Sequence, residues 1–188
     1  MNSPTFTTRL DHFARALIRH WLLIFNSLAV LYATLPWIAP LLERAGWTRT
    51  GHLIFQMYGA WCHQLPDRSF FVGNYQVCYC HRCTALYSSI ALAGLLFGVI
   101  RWQTRISNRV MLLATLPILI DGLWHMADDF FPKLGLRSPV NNVGSLNFWL
   151  RMITGVLFGV MLIVWLYPRF DEALKDAMLT PEAGLPNG

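Results

Sequence analysis

Trp21 to Leu42 reads WLLIFNSLAVLYATLPWIAPLL, interrupted only by Asn26, Ser27, Thr34 and two prolines. Crossing ~30 Å of hydrocarbon takes a helix of roughly 20 predominantly apolar residues, and neighbouring helices accommodate proline in lipid. The run therefore reads as a membrane-spanning helix. It is too long for the apolar core of a cleavable leader and lacks a small-residue cleavage site before a polar chain, so a retained helix is expected. Three further runs share its character, at about 84–102, 110–127 and 148–167. The predicted fold is an all-α membrane protein: an N-terminal amphipathic segment at 1–20, a four-helix transmembrane domain at 21–167 and a polar tail at 168–188.

Composition agrees. Apolar residues make up 55% of the 188 and charged residues only 13%, against about 25% charge in soluble domains. The net charge of +5 does not point to nucleic acid, because the basic residues stand at helix ends, where they set orientation. Arg9, Arg15 and Arg19 precede the first span, and Arg101, Arg105 and Arg109 fill the short link between the second and third. These positions are expected on the cytoplasmic side. The long connections 43–83 and 128–149 then lie outside, although they also carry Arg44, Arg49, Arg68, Arg82, Lys133 and Arg137. Thiols on that side meet an oxidising environment.

Arg9 to His20 places Leu10, Phe13, Ala14, Leu17 and Ile18 at helical spacing among charges, the pattern of an interfacial helix or of an extension of the first span. Leu53 to Trp61 is apolar but half of spanning length, which suits a re-entrant or interface-lying helix. Glycines four apart, Gly94 with Gly98 and Gly155 with Gly159, allow close helix approach in lipid. The tail begins as a short polar helix and ends in turn residues.

The strongest chemical signal is Cys62 to Cys83, CHQLPDRSFFVGNYQVCYCHRC, which holds all four cysteines of the chain and two histidines. Cys80 and Cys83 form a C-x-x-C, whose spacing lets two sulfurs meet one metal ion or each other at the start of a helix. A tetrahedral zinc site would take Cys80, Cys83 and Cys62, with His63 or Cys78 as fourth ligand. A redox reading instead uses a thiolate at a helix N-terminus beside His81 and Arg82, exchanging with Cys62 and Cys78 and passing electrons to quinone. The plainest reading is one or two disulfides stapling an outer loop.

In the third run Asp121, His125 and Asp128 or Asp129 fall on one helix face. An acid inside an apolar run is costly and marks a candidate functional residue; Asp121 would ligate metal with His125, carry a proton or pair with Arg151. Asn147, Arg151 and Thr154 form a second polar stripe in the fourth run. Because successive spans alternate direction, both stripes and the cysteine cluster must emerge at one membrane face, whatever the absolute orientation. Asp121, His125 and Arg151 are the candidate catalytic residues.

Cys62-His63-Gln64, Pro66, Arg68-Ser69-Phe70, Cys80 to Thr84, Tyr87, Asp121-Gly122, Asn147, Arg151 and Thr154-Gly155 resemble, in order, the motifs of a bacterial family of small predicted membrane proteins, domain of unknown function 2085. The resemblance runs from about Met57 to Gly159 and implies a site rather than an activity. Ala85 stands where the family usually has glycine, and Cys78 is additional to its pattern. That implies a common ligand set of Cys62, His63, Cys80 and Cys83.

The expected function is thus an integral protein of the bacterial cytoplasmic membrane with a zinc site at one face, its Cys cluster on the outer side. The alternatives are a quinone-linked thiol oxidoreductase and a non-catalytic subunit of a larger membrane complex. Eight tryptophans supply interfacial anchors under all three.

Overall fold

The computed structural model describes residues 6–131, 135 and 138–179. Lys133, Arg137, the side chains of Arg9 and Leu10, and the end of the tail at 180–188 lie outside the described residues. The chain forms α1 (Phe6–Arg19), α2 (Trp21–Arg44), α3 (Thr48–Gly59), a single 3-10 turn (Pro66–Arg68), a hairpin of β1 (Ser69–Val72) and β2 (Tyr75–Cys80), α4 (His81–Ile100), α5 (Asn108–Phe130) and α6 (Leu146–Leu179). Among the described residues four helices, α2, α4, α5 and α6, are long and apolar enough to cross a membrane. The protein is a helical membrane bundle.

Many large apolar side chains point outward: on α5, Leu112 and Leu113 are 65% and 64% exposed, while the residues that helix buries are Asp121 and His125. A helix polar toward the bundle and apolar toward its surroundings is built for lipid.

Small residues set the helix packing. The pair α4 and α6 is the most intimate in the bundle. A Cβ at Gly155 would stand 2.7 Å from the Arg82 carbonyl, and one at Gly159 would collide with Ser89, so these two glycines bring the backbones together as their spacing predicts. Gly94 serves a different contact: Asn26 donates to its carbonyl at 2.8 Å, and the Tyr167 hydroxyl donates to Asn26 at 3.1 Å. One polar knot thereby ties α2, α4 and α6.

The helix boundaries differ by a few residues from the sequence reading, and two of the differences matter. Residue 81, rather than about 84, opens α4, because Cys80 in extended conformation caps the helix; the C-x-x-C is therefore the helix N-terminus itself. At the other end α6 continues through the buried Pro168 to Leu179. The buried Asp171 holds that extension, accepting from Arg101 at 3.0 Å and Lys175 at 2.6 Å, while Arg105 pairs with Glu172 and Arg169 donates to the Ile106 carbonyl. The arginines of the α4–α5 link thus clamp α6 as well as marking a membrane face.

The segment before α4, read from sequence as a loop, contains the two-stranded antiparallel hairpin. Gly73, at φ +64°, and Asn74 form its two-residue turn, a position where glycine's access to positive φ is needed. Strand β2 lies against α2 and α3, and Val77, Cys78 and Tyr79 are fully buried. With neighbours on both faces the strand shows no apolar alternation, which is why periodicity does not reveal it. The short helix α3 packs on α2 and β2, with Tyr58, Tyr79, Cys62 and Cys78 in one buried cluster.

Candidate metal centre

Cys62 follows α3 directly, its amide donating to the Tyr58 carbonyl at 3.1 Å. Gln64 then adopts a left-handed conformation, φ 50°, unfavourable for a residue with a side chain. Three hydrogen bonds hold it there: its Nε2 donates to the carbonyls of Phe55 (2.8 Å) and Cys78 (3.0 Å), and its carbonyl accepts from Gln76 at 2.6 Å. Gln64 thereby pins the Cys62 turn to α3 and to β2 at once. The hairpin returns the chain to Cys80, and one helical turn places Cys83 beside it.

The outcome is a group of three sulfurs, Cys62, Cys80 and Cys83, all within 4.8 Å of one another. Ligands of a tetrahedral ion with metal–sulfur bonds of ~2.3 Å stand about 3.8 Å apart, so the group needs little adjustment to close on one ion. The Cys80 amide donates to the Cys62 sulfur at 3.2 Å, an interaction that stabilises a thiolate. Hydrogen bonds from Cys62 and Cys83, together with the positive charge of Arg82, hold the Cys80 thiol well below its ordinary range. The Cys62 thiol moves up as the donor to Cys80.

Cys78 is elsewhere. It is fully buried in the hairpin, outside the three-sulfur group, and burial together with the nearby Glu43 pushes its thiol up to about 12. His63 is exposed and also outside the group. It does, however, line a cavity of about 360 Å³ onto which all three cysteines open. The His81 ring lies between Phe70 and Phe148, at 4.6 and 4.8 Å.

The cavity's other wall comes from the ends of α5 and α6, with Gly122, His125, Asp129 and Arg151, joined by Arg68 and Arg82. The polar stripes and the cysteine cluster therefore meet at one end of the bundle. Arg151, 2% exposed, donates to Asn141 at 2.7 Å and lies 2.5 Å from His125 Nε2. Asn147 fixes the α5–α6 connection by donating to the carbonyls of Ser138 and Val140. Arg68 grips Asp129 with two hydrogen bonds, 2.9 and 2.6 Å. Asp121, 7% exposed, is ion-paired with Arg82, a partner the sequence did not suggest, and stands behind the cavity wall rather than in it. Gln64, Arg68 and Arg82 are the residues that sequence reasoning did not assign a structural role; their place inside the C-H-Q, R-S-F and C-H-R-C motifs was the available signal.

Fold and site together define a four-helix membrane protein with a three-thiol group at one end of its bundle. The chain belongs to the family described as predicted membrane protein, DUF2085, whose family model matches residues 62–165. The matched span starts at Cys62 and ends in α6, so it contains every residue of the thiol group and all of its cavity lining except Trp61. The chain is also similar to an uncharacterized protein of Methanocaldococcus jannaschii, 25% identical over 163 residues that cover 83% of this chain and 96% of that one. That relative is archaeal, so the likeness is not confined to bacteria. No solved structure matches the chain.

Proposed function

We propose that this membrane protein holds one zinc ion through the thiolates of Cys62, Cys80 and Cys83, with the fourth coordination position opening on the cavity that His63 lines. The observation that carries this reading is the convergence of three sulfurs, from the end of α3, the end of β2 and the first turn of α4, within 4.8 Å. Thiolate donors select soft or borderline ions, and zinc accepts a tetrahedral set without redox chemistry. His63 completes the set as in the ligand pattern Cys62, His63, Cys80 and Cys83. The ion would tie the Cys62 turn to the mouth of the bundle, with Arg82 and Asp121 supporting it from behind.

Positive charge at the far end, on Arg15, Arg19, Arg101, Arg105 and Arg109, supports a cytoplasmic position for that end and an outer position for the thiols. Should water take the fourth position in place of His63, Arg151 and His125 across the cavity are the groups placed to meet a substrate.

Elemental analysis of detergent-purified protein, combined with thiol counting after denaturation, tests the reading. One zinc per chain with reduced cysteines is expected, lost on Cys83→Ser. Metal-free protein with oxidised cysteines would overturn it and favour the quinone-linked thiol oxidoreductase.

A further inference from the structure

At the end of the bundle away from the thiols, α2 and α4 part to form a groove of about 700 Å³. Gly98 creates the space. A Cβ there would meet Asn26 and Leu22 only at ordinary contact distances, 3.7 and 3.8 Å, whereas one at Gly94, a turn earlier, would press on Asn26 at 2.5 Å. The helices press together at Gly94 and leave room for a side chain at Gly98. Leu23, Leu31 and Leu95 along the groove are 66%, 55% and 46% exposed. Two of the polar residues below the mouth are engaged within the protein, Asn26 in the knot with Gly94 and Tyr167 and Thr34 on the Val30 carbonyl, and Ser27 is the third.

The mouth is basic. Arg19, His20 and Arg101 line it, and among the described residues no acidic one does. Arg101 shares its charge with Asp171, and Arg19 forms no ion pair among the described residues. From His20 to Thr34 the groove follows α2 for about 21 Å at 1.5 Å per residue, more than half of the ~30 Å hydrocarbon thickness. A cationic mouth over an apolar channel of that length matches one molecule: an anionic glycerophospholipid, its phosphate at Arg19, His20 and Arg101 and an acyl chain laid between α2 and α4. We infer that the groove is a specific site for such a lipid, independent of the thiol centre.

The test is native mass spectrometry of purified protein titrated with dioleoylphosphatidylglycerol, dioleoylphosphatidylcholine or oleate. One phosphatidylglycerol is expected to bind per chain in preference to the other two. Arg19→Gln should weaken it about fivefold, the loss of one basic contact. Gly98→Leu fills the groove with a better helix former, and Ser27→Phe fills it from α2; either should remove the bound lipid while the protein elutes as wild type on gel filtration. Equal binding of phosphatidylcholine, binding of oleate as tight as phosphatidylglycerol, or unchanged binding in both a folded groove-filling variant and Arg19→Gln would overturn the inference.

Discussion

Arg82 and Asp121 form an ion pair across the bundle, joining the first turn of α4 to the interior of α5. Arg82 stands between the two cysteines of the C-x-x-C, so the pair links the thiol group to the one acid that α5 buries within its apolar length. Neither charge would be tolerated alone at this depth. Together they place a fixed positive charge beside Cys80.

Removing one partner should therefore cost far more than removing both. Asp121→Ala strands the Arg82 guanidinium and is expected to destabilise the protein by about 3–5 kcal/mol. The double replacement Arg82→Met with Asp121→Leu should recover much of that loss. Thermal melts in detergent check both; equal melting of the single and double variants would show that the pair is not coupled.

The cysteines should divide three to one. Cys62→Ser and Cys83→Ser should each abolish stoichiometric zinc, while Cys78→Ala should keep the ion and lose only about 1 kcal/mol of stability for its small buried void. Elemental analysis of the three variants decides the point. Loss of zinc in Cys78→Ala would place that residue among the ligands.

Thiol reactivity in metal-stripped, reduced protein should follow the same division. Alkylation proceeds through the thiolate, and the Cys80 thiol lies well below its ordinary range whereas that of Cys78 is pushed up to about 12. At pH 7 iodoacetamide should label Cys80 first and Cys78 last, with Cys78 labelling rising only as pH climbs toward 12. Peptide mass spectrometry over a time course gives the order.

Zinc affinity should fall with acidification. Binding requires thiolates, and the Cys62 thiol, raised by its hydrogen bond to Cys80, must release its proton to ligate. Below its own pKa each such proton weakens binding about tenfold per pH unit. Competition with a chromophoric chelator between pH 6 and pH 8 measures the slope; a flat profile would rule out thiol deprotonation on binding.

Gln64 should act on the metal from a distance. Its side chain holds a left-handed backbone next to the Cys62 turn through Phe55 and Cys78. Gln64→Ala removes both bonds, and is expected to lower zinc affinity about tenfold, as loss of supporting contacts does around other metal sites. The same competition assay, with circular dichroism to confirm retained helix content, tests it.

The sequence alone determined the membrane bundle, because hydropathy over some 20 residues is a local property and lipid enforces it directly. It also determined that the cysteine cluster, Asp121 and Arg151 reach one end, since alternating helices leave no other choice. The hairpin was not legible in the sequence, where the segment reads as a loop, as burial on both faces erased the strand's alternation. Tertiary structure alone decided that Cys78 sits in the hairpin core apart from the other three sulfurs, that Asp121 pairs with Arg82, and that Gly98 lines a groove along α2. Each of these depends on where side chains from distant segments come to rest. That is set by helix register, by glycine contacts such as Gly159 against Ser89, and by the turn at Gln64, none of which is written in the spacing of a single segment.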